Sequence, residues 1–293
     1  MEKNAVNIQY HGPCGLFNPF LLENMGDALQ RIIKAVNERQ KIVVCGYYDL
    51  DGIAAISLIV LILKFINADV EYFIPDCSSL NPEINSKTIK NNIKFLGAKL
   101  MITVGCGMGF YSEVELCKKL GIDVIITDYH KGYDKRPDTI ILNPDEETSD
   151  YPFKHLTASG VAFKLAQAIS MYYHMKSIGK YLDMVMLGTI SATDYIEHEN
   201  KSIVEEGLRH LNSTHNYGLK ALLKVHRISG SKLDINDAMK LASNILPLQN
   251  LPRADDNARI AVELLTTSNS DRAEQIAKYL KNQTQLKDNT ICS

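Results

Sequence analysis

The chain has 293 residues, 45% of them hydrophobic and 23% charged, with a formal net charge of −2. That length buries a sizeable core in one large or two moderate domains, and the balance of residues is that of a soluble globular protein. The charge excludes a global basic field for nucleic acid, though not a local patch, and the longest apolar run, residues 53–65, contains Ser57 and Lys64 and is too short to cross a bilayer.

Residues 1–20 read as a loose lead-in containing Gly12, Pro13, Gly15 and Pro19, with no apolar core of signal-peptide length. Leu22, Met25, Ala28, Leu29, Ile32, Ile33 and Val36 recur at helical spacing and predict a helix over 21–37. Residues 42–45 are a short apolar run suited to a buried parallel strand. Asp49, Asp51 and Gly52 then make a tight acidic turn, and Ile53 opens an apolar helix that continues to residue 65. Further strands are expected at 70–74, 100–104, 124–127 and 139–142, with helices at 86–96 and 111–120. Strands alternating with helices predict an α/β fold with a doubly wound, mainly parallel five-stranded sheet.

Beyond Asn143-Pro144 the pattern turns helical, over 159–173, 178–190, 202–211, 218–225, 236–243, 256–265 and 271–281. Asn236 and Ser270 fall at cap positions, and Pro247 and Pro252 break the run at 245–253. This divides the chain into an α/β part (1–145), a helical part (146–283) and a polar, frayed tail (284–293). The six cysteines, at 14, 45, 77, 106, 117 and 292, form no CxxC pair. They suggest neither a zinc knuckle nor a disulfide framework, and point to a reducing cytoplasm.

The first four strands each end in a polar or glycine cluster: Asp49/Asp51, Asp76, Gly105–Gly107 and Asp128/His130. Such ends share one edge of a parallel sheet, where open α/β folds bind ligands. Asp49 and Asp51 can converge on one hard cation. Equally, Asp51 can simply cap the helix at Ile53, and the motif alone leaves both readings open. Gly105 and Gly107 read as turn formers. Tyr47, Tyr48, Tyr111, Tyr129 and Tyr133 either stack on bases or fill a cleft. Lys131, Lys135 and Arg136 either touch phosphates or form a solvated loop.

Several segments, in order, resemble the RecJ exonuclease family of the DHH phosphoesterase superfamily. CGYYDLDGIAA resembles its first motif, His-Gly-Asp-Tyr-Asp-Ala-Asp-Gly; TVGCG resembles Thr-Val-Asp-Cys-Gly; ITDYHK resembles the Asp-His-His motif. ILNPDEE, YPFKHL, SGVAFKLAQA, LGTISATDYIEHEN, LNSTHNYGLKALLKV and ARIAVELLTT follow at similar places, so the likeness runs over residues 17–281. The resemblance implies paired divalent ions, usually Mn2+ with Mg2+ as the other candidate, that activate water and clamp both oxygens of a phosphodiester. It also implies 5′-to-3′ degradation of single-stranded DNA.

Set against those motifs, Asp49 and Asp51 match metal ligands, Asp128 matches the residue that orients its motif, and His130 matches a His on the phosphate side. Other ligand positions are degenerate. Cys45 stands for a His, Tyr47 for an Asp, Gly105 for the Asp that bridges both ions, Tyr129 for a His and Ala192 for an Asp. Asp194 lies two residues too far along, a turn of roughly 200° if helical. A Tyr129 phenolate is opposed by its ordinary pKa of about 10. Without an anionic bridge two close dications repel, so at most one weak ion is expected, on Asp49 and Asp51. The family's substrate loop falls on Cys77 and Asn81–Glu83, its later basic segment on 246–253 with only Arg253 kept, and the chain stops before the family's second domain and OB-fold. Arg253 and Lys131 are the expected nucleic-acid contacts.

Three functions follow as expectations. One is a working, metal-dependent exonuclease. The second is a RecJ-derived pseudoenzyme that binds single-stranded nucleic acid or a replication or repair partner without cleavage. The third, ranked last, is a phosphoesterase for small substrates. By lineage the exonuclease fits; by chemistry the impaired form does.

Overall fold

A computed structural model describes residues 15–75, 84–131, 135–146, 148–228, 232–245 and 254–291, the last without side chains at 254–256 and 284–291. Asp76, Cys77, Asn81–Glu83, Tyr133 and the segment 246–253, with Arg253, lie outside them. The five strands are β1 (Ile42–Cys45), β2 (Val70–Phe73), β3 (Leu100–Val104), β4 (Asp123–Thr127) and β5 (Ile140–Leu142). All pair in parallel in the order β2-β1-β3-β4-β5. Progress outward through β2 and then back through β3 makes a switch point between β1 and β3, where a crevice opens beyond the strand ends.

Helix α1 (Met25–Asn37) follows a 3-10 turn at Pro19–Leu21. Helix α2 (Leu50–Phe65) begins three residues earlier than the apolar run suggests, because Asp49 rather than Asp51 is its cap. Its surface is apolar all round, as a helix buried on every side requires: the sheet lies on one side, with later helices on the others. The expected helix at 86–96 is a single turn, α3 (Ser86–Thr88), that widens into a π-helical turn at Ile89–Ile93. Helix α4 (Tyr111–Lys119) covers the same sheet face as α3.

The helical part comprises α5 (Ala158–Tyr172), α6 (Leu182–Ala192), α7 (His198–Leu211), α8 (Tyr217–Val225), α9 (Ile235–Ile245), α10 (Ala254–Thr266) and α11 (Ser270–Ile291). Helices α5, α6 and α10 pack directly on α2 and share its apolar core. Two caps differ from expectation. Asp234 and Asp237 cap α9 reciprocally, each accepting the other's N–H, and Asn269 accepts from Asp271 and Arg272 at the start of α11. A short side chain just outside the first turn reaches those N–H groups better than one within it. Helix α11 also runs on through 284–291, where the polar composition predicts a frayed tail.

One buried ionic network ties the helical part to the lead-in. Lys164 of α5 pairs with Glu199 of α7, and both side chains are fully buried. Glu199 also accepts from the Tyr151 hydroxyl at 2.7 Å and the Phe17 N–H at 3.0 Å, while Lys164 donates to the Phe17 carbonyl at 2.9 Å. Lys164→Met leaves the Glu199 charge buried without its cation. It is expected to cost about 3 to 5 kcal/mol in urea unfolding, with little dependence on salt.

Candidate metal centre and cleft

A cleft of about 460 Å³ opens at the switch point, lined by Asp49, Leu50 and Asp51 of the α2 start, Tyr129 beyond β4, residues 190–192 at the end of α6, and Met239, Ala242 and Ser243 of α9. Among the described residues that line it, none is a Lys, Arg or His. Sequence reasoning found the first three walls, the third through Ala192. It missed the α9 wall, because nothing in that helix's sequence tells which element its exposed face meets.

The two aspartates have different surroundings. Asp49 is extended, caps α2 through the Gly52 N–H (2.7 Å) and presents exposed surface at the cleft mouth. Its surroundings still withdraw enough water to raise its pKa, against the pull of the Gly52 and Asp51 amides and of His130. Asp51 is 3% exposed. Its Oδ2 accepts the Ala158 N–H at 2.7 Å and its Oδ1 the Ser159 N–H at 2.9 Å, so the carboxylate sits on the first turn of α5. Burial raises its pKa, the Ser159 and Ala158 hydrogen bonds oppose that, and Asp49 adds to it. Helix α6 closes over this contact at Gly188, where a Cβ would stand 2.6 Å from Ser159 Oγ and 3.0 Å from Asp51 Oδ1.

Asp128 is 1% exposed and locks the end of β4. Its Oδ2 accepts the Met108 N–H (3.0 Å); its Oδ1 accepts the Tyr129 N–H (2.7 Å) and lies 2.7 Å from His130 Nδ1. His130 is half-exposed, stacked on Tyr129 with ring centroids 4.3 Å apart, and does not line the cleft. Its pKa is raised by the hydrogen bond to Asp128. Tyr129 does line the cleft, and burial with the nearby carboxylates pushes its phenol up to about 12, away from any ligating phenolate.

The remaining sequence-selected positions scatter. Cys45 is fully buried in the apolar layer on the α3–α4 side of the sheet, with Tyr47 packed against that layer. Ala192 is the last residue of α6 and has no donor. Asp194 follows in an exposed turn, since the chain is already extended at Thr193, and it does not reach the cleft lining. Lys131 is exposed, Lys135 lies 5.4 Å over the Tyr111 ring, and Arg136 pairs with Glu146 at 3.1 Å. Among the described residues no three His, Cys, Asp or Glu side chains converge as a metal site would need. With Asp51 engaged by two amides and Gly105 without a side chain, the residues present do not fit a bridged pair of divalent ions.

The comparisons agree with this architecture. The model of the DHH family, N-terminal domain, matches residues 41–189. The single-stranded-DNA-specific exonuclease RecJ of Bacillus subtilis (strain 168) is 34% identical over 262 residues, which cover 89% of this chain and 32% of that protein. A crystal structure of exonuclease RecJ bound to manganese superposes with a TM-score of 0.81 at 25% identity, covering 92% of this chain and 67% of that one. RecJ of Thermus thermophilus in complex with Mn2+ gives a TM-score of 0.80 at 24% identity over 95% of this chain and 40% of that one. The chain thus spans about a third to a half of the length of the curated relatives it matches.

Two measurements test the site. If Asp51 anchors α5, Asp51→Ala strands two buried N–H donors and costs about 2 to 4 kcal/mol in urea unfolding. A carboxylate serving only to bind a cation would instead be neutral or stabilising to remove from metal-free protein. For His130 the folded pKa lies above the unfolded value near 6.5. Its contribution to stability is therefore complete below that pH and lost as pH rises through the folded value. Thermal unfolding across that window is expected to fall less steeply in His130→Gln than in the parent.

Proposed function

The chain belongs to the DHH family as a RecJ-like member, and from that premise we propose that it engages single-stranded DNA with a hydrolytic centre reduced to Asp49 and Asp51. The observation that carries this reading is the engagement of both Asp51 oxygens by α5 amides, together with Gly105, Tyr129 and Ala192 at the degenerate ligand positions. Hydrolysis between two ions needs a carboxylate shared by both to offset their repulsion. Here the exposed Asp49, with Oδ1 occupied by the Gly52 amide, offers one foothold, suited to a single weakly held Mn2+ or Mg2+ that keeps most of its waters. Such an ion would give the acidic cleft the positive charge that a phosphate requires. Lys131, exposed after β4, and Arg253 are the candidate contacts to the strand.

A second reading, a working manganese-dependent exonuclease, is favoured by the 34% identity to a single-stranded-DNA-specific exonuclease. Purified protein incubated with Mn2+ and a 3′-labelled single strand separates the two. The Asp49→Ala variant serves as control because it leaves the Asp51 anchor in place. The expected result is salt-sensitive binding of the oligonucleotide and no degradation above the control. Progressive 5′-to-3′ degradation that disappears in Asp49→Ala would establish the second reading instead.

A further inference from the structure

The resemblance to the RecJ motifs places a carboxylate shared by two ions at position 105, and the structure sets two obstacles there, a left-handed backbone and one close side chain. Gly105 adopts φ +70°. A Cβ on it would lie 2.7 Å from the Ala158 Cβ, whereas the next atoms, Ala158 Cα and Tyr129 Cε1, are each 3.9 Å away. One methyl group therefore accounts for the whole collision. That methyl cannot yield easily. Ala158 is 3% exposed, opens α5, and donates its N–H to Asp51 at 2.7 Å. Ser159 beside it is held between Asp51 and the Val185 carbonyl, at 2.9 and 3.2 Å. Retreat of Ala158 from position 105 would pull both amides off a buried carboxylate.

We propose that Ala158 is the residue that excludes a carboxylate, and with it a bridged pair of divalent ions, from this cleft. The first turn of α5 does two things at once. Its amides and dipole supply Asp51 with the positive partner that a cation would otherwise provide, and its first methyl takes the space that the Cβ of any side chain at 105 needs. Positions 105 and 158 are consequently coupled, and reinstating an acid at 105 alone is blocked. This inference rests on the reduced-centre reading and names the contact that maintains it.

A cycle of variants tests it without relying on hydrolysis. Gly105→Ala adds only the Cβ; it is expected to lower Tm by about 5 °C in the parent, as an overpacked and strained position does, and clearly less in an Ala158→Gly background. Gly105→Asp with Ala158→Gly is expected to gain thermal stability on adding Mn2+ alone, and Gly105→Asp by itself to gain much less. Equal cost of Gly105→Ala in both backgrounds would overturn the proposal. So would Mn2+ stabilisation of Gly105→Asp as large as that of the double variant. The alanine pair involves no metal, so it judges the steric coupling independently of the reading beneath it. That reading fails separately if calorimetry finds two tight Mn2+ sites in the parent protein.

Discussion

The structure turns on a buried carboxylate seated on a helix start. Asp51 is carried by α2, the helix that lies across the sheet, and its two oxygens take the first two amides of α5. A charge this deeply buried is costly unless it is fully hydrogen-bonded. A helix N-terminus answers that need with free N–H groups and a favourable dipole. This contact pins the first helical segment after the sheet to the first helix within it. Gly188 lets α6 close over the pair, because any side chain there would strike Ser159 or Asp51.

The character of the cleft follows from that arrangement. Asp51 forms its floor, but each of its oxygens already accepts an α5 amide. Asp49, one residue outside the helix, is exposed at the mouth and gives only its Oδ1 to the Gly52 amide. Asp128 is spent on holding Met108, Tyr129 and His130 in place, so it organises the wall without adding a free ligand. The Tyr129 ring fills space beside both carboxylates and stays protonated. The result is a small acidic crevice at a sheet switch point, with one accessible carboxylate and no cationic side chain among its described lining.

Much of the fold was legible because it depends on short-range patterns. Strands β1 and β3 fall on their apolar runs, since buried parallel strands need little beyond continuous apolar residues between turn formers. The helical segments were located by their 3.6-residue spacing, with ends displaced where an aspartate or asparagine just outside the expected start made the better cap. Helix α3 was read too long and too regular, because local sequence does not separate an α turn from the π turn at Ile89–Ile93. At the site, the order and spacing of motifs selected Asp49, Asp51 and Asp128. Sequence could not say what each one touches.

By itself, the sequence determined the parallel α/β layer, the helical part after it, and the side-chain chemistry available at each strand end, including the lack of any ligand at positions 105 and 192. Those properties reside in residue type and spacing along the chain. Only the tertiary structure decided that Asp49 is the cap and Asp51 the anchor of a helix more than a hundred residues away. It likewise decided that Ala158 crowds Gly105 and that α9 completes the cleft. The reason is physical: hydrogen-bond partners and van der Waals clearances across such separations are set by how helices pack on the sheet, and no local pattern encodes them.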